Sequence, residues 1–258
     1  MSKPIWAPSP ETVRVCIIRC RGRCDFGDST WRVLIGSTNA IRCKRTLQMT
    51  MHIALLGDSI LDNRSYTKGE PDVASHLRQL LPNSAEVTLC AVDGSTTSDL
   101  APQIRRVPAD ASHIVVSIGG NDALLNSDLL RTPVASTSEA LSLFGNRMRQ
   151  FERAYVEAIE RVLSLNRHTT ICTIYNGNLD PSRADLVRVA LMMFYDVILR
   201  CGFERHLTIV DLRLVCNEQT DYANPIEPSG SGGLKIAKAI AGWLGVINTA
   251  DSSTIHTG

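Results

Sequence analysis

Neither sign of charge is in excess in this sequence: lysine and arginine number 27 against 26 acidic residues over 258 positions. That balance gives no electrostatic reason to expect nucleic acid or an acidic membrane surface as a partner. No apolar run approaches the roughly eighteen residues a membrane span needs, so no span is expected and the chain reads as soluble. A secretory signal would need a continuous apolar stretch followed by a small-residue cleavage site, and neither is evident. A cytoplasmic location is the resulting expectation. A phosphate-cradling loop is missing too. Gly57-Asp58-Ser59-Ile60-Leu61-Asp62, after the first convincing strand, is acidic and supplies one glycine, which argues against nucleotide binding. The eight cysteines lack the spacing of a zinc ribbon or finger. Cys16, Cys20 and Cys24 repeat every four residues, without paired two-residue gaps and with no histidine nearby. No metal is expected from that pattern. Cys90, Cys172, Cys201 and Cys216 sit within apolar segments and read as small hydrophobes.

What is present is enough for a sizeable core, since 44% of the residues are hydrophobic. Residues 1–50 stand apart: they mix arginines, cysteines and tryptophans with no sustained period, and read as an extension outside the fold. An arginine-rich transit peptide is the other reading of that segment. From Met51 the pattern becomes regular, with short β-branched runs alternating with longer amphipathic ones. Strands are expected at Ile53 to Leu56, Glu86 to Val92, His113 to Ile118, Thr169 to Tyr175 and Leu207 to Leu212. Helices are expected at Pro71 to Leu81, Thr97 to Arg105, Ser136 to Leu165, Asp185 to Arg200 and Gly232 to Leu244. In Asp185 to Arg200 the apolar face reads Leu186, Val189, Met193 and Val197. Such alternation predicts an α/β protein, a three-layer α/β/α sandwich over a parallel sheet. One domain over residues 51–247, with a polar tail at 248–258, is the simplest partition.

Three strand ends carry glycine and polar residues together: Gly57-Asp58-Ser59, Asp93-Gly94-Ser95 and Gly119-Gly120-Asn121-Asp122. In a parallel sheet these ends share one edge, where ligands gather. A hydroxyl, an approachable glycine N–H and an asparagine amide would meet there, the set that acyl transfer needs. Glycine, aspartate and serine are also ordinary turn formers, so the first cluster alone leaves a plain turn open.

The order Gly-Asp-Ser, isolated glycine, then Gly-x-Asn-Asp resembles the SGNH/GDSL-type serine esterase (hydrolase) family, over Ile53 to about Leu244. The resemblance implies a flavodoxin-like fold with a five-stranded parallel sheet and hydrolysis of carboxylic esters, acyl or acetyl. It implies Ser59 as nucleophile, and an oxyanion hole from the Ser59 N–H, the Gly94 N–H and the Asn121 side chain. A serine mechanism implies no cofactor. The partner is then a small-molecule ester, and oligomeric state is left open. Asp58, Asp122, Tyr175 and Asn176 are further candidates for substrate contact, Asn176-Gly177 being equally a common turn.

The family's fourth block pairs an aspartate with a histidine three residues later. Here Asn224 and Glu227 occupy those places. His52, His113, His168 and His206 lie at or before strand starts, at the opposite edge from Ser59. His76 reads as a surface or packing residue within a helical run, and His256 is in the tail. Glu227 is the remaining base. An ordinary glutamate is a weaker proton acceptor than histidine by about two pKa units, roughly 3 kcal/mol, and burial offsets part of that. The Asn224 amide is expected to donate to the Glu227 carboxylate, so that Ser59, Glu227 and Asn224 form the catalytic set. In the alternative, Glu227 merely holds the loop before the last helix, and the chain is a catalytically impaired member that binds an acyl or carbohydrate ligand. Asp211 and Arg213 read as a solvated ion pair or as one that fixes the loop toward Glu227, and Asp62, Asn63 and Arg64 as an exposed loop or a polar substrate contact.

Overall fold

A computed structural model describes residues 51–246 and 254–255, which belong to the unit Thr50–Gly258. The expected extension, residues 1–50, and most of the expected tail lie outside the described residues. Five strands form a parallel sheet: β1 (His52–Gly57), β2 (Glu86–Leu89), β3 (His113–Ser117), β4 (His168–Cys172) and β5 (Thr208–Val210). Their order is β2-β1-β3-β4-β5, so β1 lies one strand in from the margin with β2 and β3 on its two sides, and its end falls between theirs. Within the tail, β6 (Thr254–Ile255) adds two antiparallel residues beside β5, an edge pairing that the polar composition did not signal.

The buried strands alternate their side chains between two cores. Ala54, Leu56, Ile114 and Val116 face one way, Ile53, Leu55 and Val115 the other. The first face is covered by α2 (Leu100–Ile104), α4 (Thr137–Leu163) and α5 (Pro181–Glu204), through Leu100, Phe151, Tyr155, Ile159, Phe194 and Ile198. The second is covered by α1 (Val73–Leu80), the short α6 (Leu212–Val215) and α7 (Gly230–Trp243), through Val73, Leu77, Leu212, Ile236 and Ile240. This is the three-layer sandwich expected from the alternation. No helix among the described residues is long and apolar enough to cross a membrane.

Two local readings are corrected. Pro71 precedes α1 and does not open it; Asp72 is the cap, its Oδ1 accepting from the Ser75 N–H at 2.7 Å. In α5 Leu186 and Val189 are exposed, while Val187 packs against the core and Leu191, Phe194, Val197 and Ile198 make the buried face. Gly119, at φ +119°, turns the chain directly into the short helix α3 (Gly120–Leu125).

Candidate active site

The turn after β1 is built on glycine for a steric reason. Gly57 has φ +137°, and a Cβ there would lie 1.8 Å from the Ser117 carbonyl oxygen of neighbouring β3. Its peptide is gripped on both sides by one side chain: the Gly57 N–H donates to Gln103 Oε1 at 2.7 Å, and Gln103 Nε2 donates to the Gly57 carbonyl at 2.8 Å. Gln103 Nε2 also reaches Ser95 Oγ at 3.1 Å, so this buried α2 residue ties the first strand end to the second. Sequence reading passed over Gln103. A lone amide on the apolar face of a short helix was the available signal, since a buried amide must find partners.

Beyond Gly57, Asp58 and Ser59 are both buried. The Asp58 N–H donates to the Ser117 carbonyl, and Asp58 Oδ1 accepts from the Ile60 N–H at 3.1 Å, which closes the turn. No hydrogen bond within the protein engages the N–H of Ser59 or that of Gly94 among the described residues. Gly94, at φ +80°, lies on the exposed loop after β2 and is not among the residues lining the cavity described below. Asn121, in α3, donates from Nδ2 to the Ser95 carbonyl at 2.9 Å, which leaves its second amide hydrogen free. Asp122, expected as a substrate contact, instead holds the loop after Gly94: it accepts from the Thr97 N–H at 3.0 Å and the Thr97 hydroxyl at 2.7 Å.

Glu227 arrives on the loop between β5 and α7. Asn63, expected on an exposed loop, is fully buried and anchors that loop. Its Nδ2 donates to the Pro228 carbonyl at 3.3 Å and its Oδ1 accepts from the Val73 N–H at 2.9 Å. Tyr175 OH adds a 2.6 Å bond to the Ile226 carbonyl. Asn224 works differently from the expectation. Its Oδ1 accepts from the backbone N–H groups of Ile226 and Glu227, each at 2.9 Å, and no bond runs from its amide to the Glu227 carboxylate. An asparagine keeps this turn as well as an aspartate would, because both offer the same Oδ1. The Asp211–Arg213 pair is not a solvated one either. Asp211 is buried, accepts from Thr173 Oγ1 at 2.9 Å and from Arg213 Nε at 2.8 Å, and the guanidinium lies 4.7 Å over the Tyr195 ring. Burial pushes the Asp211 carboxyl upward, but those two partners outweigh it and hold the group below the usual aspartate range.

Asp58, Ser59, Asn121, Tyr175, Asn176 and Glu227 line one cavity of about 430 Å³. Its remaining wall is largely apolar, formed by Leu124, Leu130, Ile174, Leu179, Val187 and Leu191. Asn176 is oriented by the Tyr195 hydroxyl, which donates to its Oδ1 at 2.9 Å. The two carboxyl groups feel that apolar wall. Burial raises Glu227 above the ordinary glutamate range, and the nearby Ser59 hydroxyl pulls it partly back. Glu227 Oε2 is buried with no partner. Asp58 is pushed up to about 7, first by burial and then by the Glu227 charge, against the Ile60 N–H that favours its anion. No histidine lines the cavity. His52, His113 and His168 open β1, β3 and β4 at the far edge, and His76 is buried with Nε2 3.1 Å from the Gly230 carbonyl.

Residues 55–232 match the model of the GDSL-like lipase/acylhydrolase family. Among solved structures the chain is similar to the lipase Lip_vut3 from a goat rumen metagenome, at 16% identity and TM-score 0.57, over 73% of this chain and 95% of that one. It is also similar to a variant of Axe2, an acetyl xylan esterase from Geobacillus stearothermophilus, at 17% identity and TM-score 0.57, over 78% and 97%. A third is phospholipase A1 from Streptomyces albidoflavus NA297, at 15% identity and TM-score 0.56, over 77% and 98%. At these identities the likeness is one of fold. No curated protein matches the chain.

Proposed function

Because the chain belongs to the GDSL-like lipase/acylhydrolase family, we propose that it hydrolyses carboxylic esters with Ser59 as nucleophile and Glu227 as base. The observation that carries this reading is the meeting of a serine hydroxyl and a glutamate carboxyl, from opposite ends of the domain, in one largely apolar cavity. In the first step Ser59 Oγ attacks the ester carbonyl while its proton passes to Glu227. The negative charge that develops on the carbonyl oxygen is met by the N–H of Ser59 and by the free amide hydrogen of Asn121, both of which line the cavity. Collapse breaks the bond to the alcohol, which leaves with the proton from Glu227. Water then attacks the acyl group on Ser59, giving up a proton to Glu227, and the acid leaves as the Ser59 hydroxyl is restored.

A glutamate is a weak base for a serine, and two features support its use here. Burial raises its proton affinity, which narrows the gap to histidine. Its backbone is fixed by Asn224, Asn63 and Tyr175, so little ordering is left to do when substrate arrives. The cavity offers more apolar wall than an acetyl group covers, and the favoured substrates are therefore esters of longer acyl chains. Hydrolysis of chromogenic esters of increasing acyl length by the full chain tests the proposal. Activity that rises beyond acetate and disappears in Ser59→Ala and Glu227→Gln is expected. Undiminished turnover in Ser59→Ala would rule the assignment out.

A further inference from the structure

The sequence gives no metal-binding pattern, yet three residues far apart in the chain meet at the strand-start edge of the sheet. His52 opens β1, Glu86 opens β2 and pairs with it in register, and Asp110 lies in the turn before β3. Asp110 Oδ1 is 3.1 Å and Glu86 Oε2 is 3.9 Å from His52 Nδ1, and the three atoms lie within 4.8 Å of one another. His52 is 5% exposed, whereas both carboxylates reach solvent. Its backbone is clamped by Ser112 Oγ, which accepts from the His52 N–H at 3.0 Å and donates to its carbonyl at 3.2 Å. The other ring nitrogen, Nε2, stands 2.8 Å from Thr88 Oγ1.

Nδ1 is buried and has no hydrogen-bond partner, although two carboxylates surround it. In the tautomer whose Nε2–H donates to Thr88, Nδ1 presents a lone pair to two anions, and a cation between them turns that repulsion into coordination. Ligating histidines commonly fix their tautomer through such a bond from the outer ring nitrogen. A tetrahedral ion with bonds of about 2.0–2.2 Å needs ligand atoms roughly 3.3–3.6 Å apart, a spacing that the 3.1 and 3.9 Å separations bracket. The exposed carboxylates can swing the remainder. One imidazole with two carboxylates suits zinc and its first-row neighbours, whereas calcium and magnesium favour all-oxygen sets.

We propose that His52 Nδ1, Glu86 and Asp110 bind a divalent transition-metal ion of the zinc type, with water completing the shell. The ion cross-links β1, β2 and the turn before β3. It lies at the opposite end of the strands from Ser59 and so stabilises the fold without entering ester hydrolysis.

The test uses the full chain, stripped with a chelator and dialysed against micromolar zinc chloride, with zinc content and melting temperature read in wild type, Asp110→Asn and Glu86→Gln. Wild type is expected to hold one zinc more than either variant and to melt several degrees higher with zinc than without. Both variants lose that shift and retain hydrolysis of the chromogenic esters. Exposed positions are chosen because His52→Ala risks unfolding. Equal zinc content in wild type and both variants, or a wild-type melting temperature indifferent to zinc, would overturn the proposal.

Discussion

The two edges of the parallel sheet hold opposite chemistries. At the strand ends, Ser59 shares an apolar cavity with two buried carboxyl groups and no histidine. At the strand starts, His52, His113 and His168 gather in a row, and the rings of His113 and His168 stack 5.2 Å apart. A parallel sheet aligns every strand the same way, so a histidine at a strand start cannot reach a serine past a strand end without crossing the length of the sheet. The histidine absent from the position of Glu227 is therefore not supplied by a neighbour. The reactive edge is left with carboxyl groups, and its environment raises their proton affinity in partial compensation.

Substitutions that exchange the chemistry of one edge are the sharpest way to break that contrast. Ser59→Ala is expected to lower kcat/KM by roughly a thousandfold or more, since the nucleophile is lost while the oxyanion donors remain. Glu227→Gln keeps the shape and removes the base, and a loss of roughly a hundredfold or more is expected in the same ester assay. The converse change, Glu227→His with Asn224→Asp, restores the family's pair at the reactive edge. It is expected to raise turnover at pH 7; an unchanged or lower rate in the folded double variant would show that Glu227 is not the base. At Asp58 the readout is stability against pH. Its folded pKa, about 7, lies above the ordinary 3.8, so the native state binds the extra proton between those values. Stability is therefore fullest below about pH 4, falls as pH rises toward 7 and stays reduced above it. The gap corresponds to roughly 4 kcal/mol as an upper bound. Asp58→Asn is thus expected to unfold at higher denaturant than wild type at pH 8, with the difference gone at pH 4. The smallest effect expected is that of Gln103→Leu. It keeps the volume and removes the grip on Gly57 and Ser95, lowering kcat by about tenfold with KM little changed, as for a group that positions others.

Much of this contrast is legible in the sequence. The hydrophobic period locates the five parallel strands, and strand polarity then sorts Ser59, Gly94 and Asn121 to one edge and the histidines to the other. Glu227 is found only through the resemblance to the family, whose fourth block falls on Asn224 and Glu227. What escapes is whatever depends on a partner distant in the chain. Gln103 and Asn63 look like ordinary polar residues until the folded chain brings Gly57 and Pro228 to them. The Asn224 side chain was matched to the wrong partner, because its bond is to backbone N–H groups that no side-chain pattern marks. Asp122 was read as a substrate contact for the same reason, its partner being the backbone and hydroxyl of Thr97. The exposed Leu186 and Val189 follow the helical period faithfully, but in those turns it is Val187 that faces the core.

The central claim is that Glu227 makes Ser59 reactive, and covalent labelling measures that most directly. The full chain and its Glu227→Gln variant are exposed to a serine-directed phosphonate, and the modified residue is located by peptide mass. The account predicts rapid modification of wild type at Ser59 and modification at least tenfold slower in Glu227→Gln. A wild type that resists the reagent, or a variant that reacts at the same rate, would contradict it.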